Sequence, residues 1–207
     1  MSKKYKFTGE TKVVNGHILH RIIALRDIKL YNVKKGDLGG WIEKESNLSH
    51  KGSCWVAQEA CVYGEAKVFG HAQVYGYAKV YGNAKVYGHA KVFGEAKVYG
   101  NAKVFGYAQI YGYAWIFDKT KVYDYAKVYD YAKVFDHAQV FAGAQIFGHA
   151  KVYDYAQVSG YAWIFGHAWI FGHAEASGYA KVFGHAEVSG YACVTGEEKI
   201  AGKTHIS

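Results

Sequence analysis

The sequence predicts an all-β protein, a parallel β-helix of triangular coils of about 18 residues with an N-terminal β-hairpin. Three observations predict it. A branched aliphatic residue recurs every six positions from Val56 through Val62, Val68 and Val74 to Ile206, without insertion and weak only at Ala176. An alanine stands two residues before nearly every member, from Ala60 to Ala192, with Thr120 and Thr204 as conservative exceptions. Proline is absent, and 25 glycines punctuate the chain, most of them at the same six-residue interval.

The first 47 residues lie outside this period. Lys12-Val-Val, then Asn15-Gly16, then His17-Ile-Leu-His-Arg-Ile-Ile-Ala reads as a hairpin with the favoured Asn-Gly turn. A solenoid needs its end covered, so residues 1–47 are expected to form a β cap and residues 48–207 the helix. A partner-binding arm is the other reading of this segment. Ile42 and Leu48 start the six-residue spacing, and a two-residue slip before Val56 predicts a wide first corner.

Within the repeat, Lys-Val-Tyr alternates polar, apolar and amphipathic, which reads as a three-residue strand with valine inward. Gly or Asp follows because the chain must turn with positive φ. Asp118, Asp124, Asp130, Asp136 and Asp154 take that place in the central coils, where hydrogen bonds within the turn are expected for them. A hard-cation site is the sharper reading of the same carboxylates. Alanine fills the inward corner. Three such sides close a coil, coils stack at about 4.8 Å, and some eight coils share one core. No second cap is expected after Ile206, an end either polar enough to stand open or paired with another copy.

Units such as Val86-Tyr-Gly-His-Ala-Lys91 and Val98-Tyr-Gly-Asn-Ala-Lys103 resemble the hexapeptide repeat of left-handed β-helix proteins, and left-handedness is what that resemblance implies. The family includes trimeric acyltransferases and γ-class carbonic anhydrases. Tyr5-Lys-Phe-Thr-Gly-Glu-Thr11 and Lys35-Gly-Asp-Leu-Gly-Gly-Trp-Ile-Glu43 look like uncharacterised phage and prophage proteins of this fold, often labelled acyltransferases by fold alone. The resemblance implies a homotrimer, with clefts between subunits as the place for ligands.

Composition narrows the class further. Hydrophobic residues make up 51%, too many for a disordered tail, and leucine is too scarce for a helical bundle. No apolar run approaches the ~18 residues of a membrane span, and no signal peptide is evident. Cys54, Cys61 and Cys193 are odd in number without CxxC spacing, which fits a reducing cytoplasm. The net charge of +8 points to an anionic partner.

Residues 18 apart lie above one another, so outward side chains form columns. One face carries Lys67, Lys85, Lys103 and Lys121, flanked by Phe69, Tyr87, Phe105 and Tyr123. Ammoniums ~5 Å apart repel by ~0.8 kcal/mol per pair even in water, and an anion along them relieves that cost. Rings beside lysines suit flat anionic ligands. The plainer reading is that the heads splay into solvent while their stems cover the rings. A second face carries Lys79, Lys97, Trp115, Lys133, Lys151 and Trp169, and a third has Trp163 near Lys181. The candidate ligand-binding set is Lys67, Lys85, Lys103, Lys121, Tyr87, Tyr123, Trp115 and Trp169. Nineteen aromatics follow an inward aliphatic; stacking on neighbours is expected to hide part of each ring, and the remaining outward area to meet another subunit.

Seven histidines share one unit position, and His149, His167 and His185 stack on one corner. A straight column converges poorly on a tetrahedral ion, so corner decoration is the expectation, with neither metal nor cofactor. The register has no room for the loop that carries the catalytic histidine in hexapeptide acyltransferases, and no catalytic pair is apparent. The sequence reading is a non-enzymatic oligomeric scaffold in the cytoplasm. In the phage setting it would sequester a host signalling nucleotide or block a host defence protein. An acetyl-CoA-dependent acyltransferase and a virion-associated spacer are the alternatives.

Overall fold

The computed structural model describes residues 3–207. Strand β1 (Tyr5–Val14) and strand β2 (His17–Ala24) pair antiparallel from Val14↔His17 to Tyr5↔Ala24, with a register shift between Phe7 and Thr11. Asn15 (φ 51°) and Gly16 (φ 81°) both take positive φ, as a two-residue hairpin turn that follows the strand twist requires. Strand β3 (Leu38–Ile42) lies antiparallel to β2 on one side and parallel to Cys61–Val62 on the other. The expected cap is therefore built as a continuation of one solenoid sheet. Stacking starts at β3, within the first 47 residues.

The slip before Val56 is a real wide corner. Ile42 pairs with Val62 and Leu48 bridges Val68, each 20 residues on, whereas Val56 pairs with Val74, 18 residues on. From there every rung repeats at 18 residues: Lys85↔Lys103 and Val86↔Val104 on one face, Lys97↔Trp115 on the next, Lys91↔Gln109 on the third. Three sheets of 12, 9 and 8 strands result, parallel throughout the coils, and the largest includes the antiparallel cap strands. About nine coils stack, slightly more than the eight expected, because the cap joins the pile.

Each paired strand holds two residues, such as Lys85–Val86, and not three. The aromatic that follows is outside the ladder because the chain has begun to turn. Its N–H still donates to the next coil, as Tyr87 does to the Val104 carbonyl at 3.0 Å. Inside, the valines, isoleucines and corner alanines from Ala60 to Val188 form one core and are essentially fully buried. Thr120, buried among them, donates its hydroxyl to the Phe117 carbonyl at 2.7 Å, so its polarity costs little. Ala176, the weak position, is buried like the rest.

The turn aspartates take φ of 55–57° as the turn demands. Two of the expected bonds run elsewhere than within their own turns. The Asp130 carboxylate accepts from the Gly148 N–H (3.3 Å) and Asp154 from the Gly172 N–H (3.1 Å), one coil above. Stacked identical turns put that donor directly over the side chain. The outward aromatics form long offset-stacked columns, for example Phe69, Tyr87, Phe105, Tyr123 and Phe141 at 4.7–5.0 Å between ring centroids. Such pairs add about 0.5–1.5 kcal/mol each beyond area burial. Among the described residues the helical segments are two short 3-10 turns, and no helix is long and apolar enough to cross a membrane.

Candidate ligand-binding groove

Parallel pairing places Lys67, Lys85, Lys103 and Lys121 on successive rungs of one sheet. With rungs about 4.8 Å apart, the four ammonium stems span about 14 Å along the solenoid axis. All four are exposed, whereas Lys79, Lys97, Lys133 and Lys151 on the second face and Lys91, Lys127 and Lys181 on the third are half-buried. The difference has a visible cause. On the second face, indoles separate the lysines: Trp115 lies between Lys97 (4.6 Å) and Lys133 (4.5 Å), and Trp169 holds Lys151 at 4.4 Å. On the third, glutamines alternate with lysines, as in Gln73, Lys91, Gln109 and Lys127, and Trp163 takes Lys181 at 4.8 Å. The first face has neither device over its four lysines.

A groove of about 930 Å³ runs beside this column. Its floor is the four lysines with Gln139, and its wall is the adjoining corner column of Glu65, Asn83, Asn101, Lys119, His137 and Tyr155. Five cations thus face one acid, and that acid, Glu65, is already paired with Lys44. The corner residues escape a reading of the lysine column alone. Their signal is positional, since each stands two residues before a rung of the same face.

The other candidates fall elsewhere. Tyr87 and Tyr123 lie on the far side of the lysine column, half-buried in their aromatic stack, where burial raises both phenol pKa values. They do not line the groove. Trp115 and Trp169 are on the second face and are occupied by lysines of their own. Stacking hides part of each outward ring, as expected, and most of the large exposed apolar surface lies at the corners. The aromatics after the inward valines are half-buried by stacking, with Tyr63 fully buried, and the exposed rings are corner tyrosines such as Tyr77 and Tyr125, together with Trp163 on the third face. His149, His167 and His185 stack face to face at 4.9 and 5.0 Å. Among the described residues no three His, Cys, Asp or Glu side chains gather as metal ligands. Cys54 and Cys61 are buried free thiols, and Cys193 is exposed and free.

No protein-family model matches the chain, and no curated protein matches it. The groove's own chemistry therefore carries the functional argument.

Proposed function

We propose that this protein is a non-catalytic, oligomeric binding scaffold whose lysine groove captures an anionic, nucleotide-like ligand. One observation carries the reading: the one run of four stacked lysines among the described residues is wholly exposed and lines a groove with a single, already paired acid. Uncompensated, the stack costs about 0.8 kcal/mol per neighbouring pair, so bound anion stabilises both partners. The Asn83 and Asn101 amides supply donors and acceptors for polar edges, and the His137 and Tyr155 rings supply a stacking surface for a base. Trimeric packing would turn each open groove into a cleft. In the setting that the N-terminal resemblance implies, the captured anion is a host signalling nucleotide.

The test is calorimetry with ATP and with inorganic tripolyphosphate, alongside native mass spectrometry to count copies. Wild-type protein should bind both anions, and Lys85→Glu with Lys103→Glu should weaken binding by more than tenfold. Equal binding by the reversed variant, or none by the wild type, overturns the groove. A monomer that still binds overturns the oligomeric part alone.

A further inference from the structure

One rung of the solenoid breaks the repeat's local order. Everywhere from Gly148 to Gly202, and from Gly64 to Asp136, Gly or Asp holds the positive-φ turn position and the next residue projects from the corner. At Phe141-Ala142-Gly143-Ala144 the order is inverted. Ala142 takes φ 55°, where a Cβ is disfavoured, and Gly143 takes the projecting position with nothing to project. Ala142 also lacks the carboxylate with which Asp130 and Asp154 reach the coil above. Both exchanges cost stability, and the residue order Gly-Tyr used at Gly106-Tyr107 and Gly160-Tyr161 would avoid both. Gln58 (φ 57°) is the other turn residue that is neither Gly nor Asp, but its side chain accepts from the Gly76 N–H one coil above at 2.7 Å. Ala142 has no such compensation, and an uncompensated turn followed by a missing corner side chain points to a function for that rung.

The consequence is a missing step in an aromatic column. This corner runs His71, His89, Tyr107, Tyr125, Gly143, Tyr161, Tyr179. Below the gap His89, Tyr107 and Tyr125 stack at 4.9 and 5.1 Å, so the upper face of Tyr125 is uncovered. Above it Tyr161 leans down. Its Cδ1 lies 2.7 Å from where a Gly143 Cβ would stand, and its stack on Tyr179 is looser (5.4 Å) and more tilted (12°) than the Tyr107–Tyr125 pair below. Tyr125 and Tyr161 are 65% and 61% exposed. Two rungs separate them, about 10 Å, which leaves room for one flat ring at the normal ladder spacing once Tyr161 stands upright.

The backbone at the notch also departs from the rest of its own column, as it does at Glu65 on another corner. In this column the corner N–H donates to the turn carbonyl one coil above: His89 to Gly106, Tyr107 to Asp124, Tyr125 to Ala142, Tyr161 to Gly178, at 2.7–2.9 Å. Gly143 makes no such bond to Gly160. A backbone donor is thus left over at the back of the gap. A groove of about 480 Å³ opens in front of it, with Lys91, Lys127, Gln109 and Gln145 on its floor.

We propose that the Gly143 notch is a stacking site for a planar aromatic ring bearing an anionic group, seated between Tyr125 and Tyr161. The ring replaces the missing rung, its polar edge accepts from the Gly143 N–H, and its anionic group meets Lys91 and Lys127. The site lies on a different face from the Lys67–Lys121 groove, and neither depends on the other.

AMP is the probe, with ribose 5-phosphate as the ringless control, both read by calorimetry. Ala142→Gly with Gly143→Tyr restores the order of the neighbouring units, so this variant is expected to fold and to fill the notch with its own ring. Wild-type protein should bind AMP at least tenfold more tightly than ribose 5-phosphate. The double variant should lose at least tenfold in AMP affinity while keeping its tripolyphosphate binding. Ala142→Gly alone should keep AMP binding. In the Lys85→Glu with Lys103→Glu background, which removes the other anion groove, AMP should still bind at the notch and lose that binding on Ala142→Gly with Gly143→Tyr. Unchanged AMP affinity in the double variant, equal affinity for the two probes, or no AMP binding by the wild type overturns the site.

Discussion

The Lys4 ammonium is buried against Cys54, its Nζ 2.6 Å from the Cys54 carbonyl oxygen and 3.1 Å from Sγ. Fifty residues apart in the chain, the two tie the start of β1 to the wide corner of the first coil. Burial pulls the Lys4 pKa down and pushes the Cys54 thiol up, and each group partly offsets the other's shift. Lys4→Ala leaves that carbonyl without its donor and opens a cavity, at an expected cost of about 2–4 kcal/mol. Lys4→Met keeps the volume and should cost less. Hydrogen exchange should show the loss confined to β1, β2 and the first coil. Equal loss for both variants would show that the polar contact, and not the volume, sets the cost.

Acid should loosen the cap before the coils. A hydrogen bond from His17 holds the Glu43 carboxyl below its usual 4.5, and the Lys3 ammonium does the same for Glu45. A carboxyl depressed in the fold contributes stability that is present above the unfolded value and lost as pH falls through the folded one. His50 is lowered from 6.5, chiefly by burial, so the fold favours its neutral form and weakens as pH falls below 6.5. Both effects have the same sign. In an acid titration, the fluorescence of Trp41 and Trp55 should change from about pH 6 downward and steepen below about 4.5. Circular dichroism of the solenoid should lag behind. Simultaneous loss of both signals would contradict a separately titrating cap.

The indoles of the second face should act as spacers between charges. Trp115→Lys would close the one gap between Lys79 and Lys97 on one side and Lys133 and Lys151 on the other, leaving ammoniums on every rung of that stretch. Two new repulsive pairs and two lost cation–π contacts predict a destabilisation of about 2–3 kcal/mol at low ionic strength. Raising salt should recover much of it, since the screening length falls from about 30 Å at 0.01 M to about 3 Å at 1 M. A salt-independent drop in Tm would assign the loss to packing and not to charge.

The architecture was legible because the period never breaks: inward valine, corner alanine and turn glycine recur in one register, and Asn15-Gly16 marks the hairpin on its own. The wide corner was legible as the spacing before Val56. The lysine column was legible too, because residues 18 apart must stack. Its wall was not, since Asn83 and His137 acquire a role only when the corner is seen to rise beside the floor. The Asp130 partner was misplaced for a related reason, as a turn read alone shows no donor from the coil above. Ala142-Gly143 stands in plain letters, yet its unmade hydrogen bond exists only between coils. Lys4 and Cys54 meet only after the cap folds back over the first corner.

The eighteen-residue rung makes the solenoid a ruler. Each coil leans only on the one above and the one below, so length is added or removed in fixed increments of about 4.8 Å. An in-frame gain of one coil bearing lysine at the Lys103 position would extend the charged track by one graduation and leave every other rung in register. A shift that is not a multiple of the six-residue unit would carry the inward valines off the core and erase the scale. The length of the lysine track is therefore written in whole coils, and changes by counting.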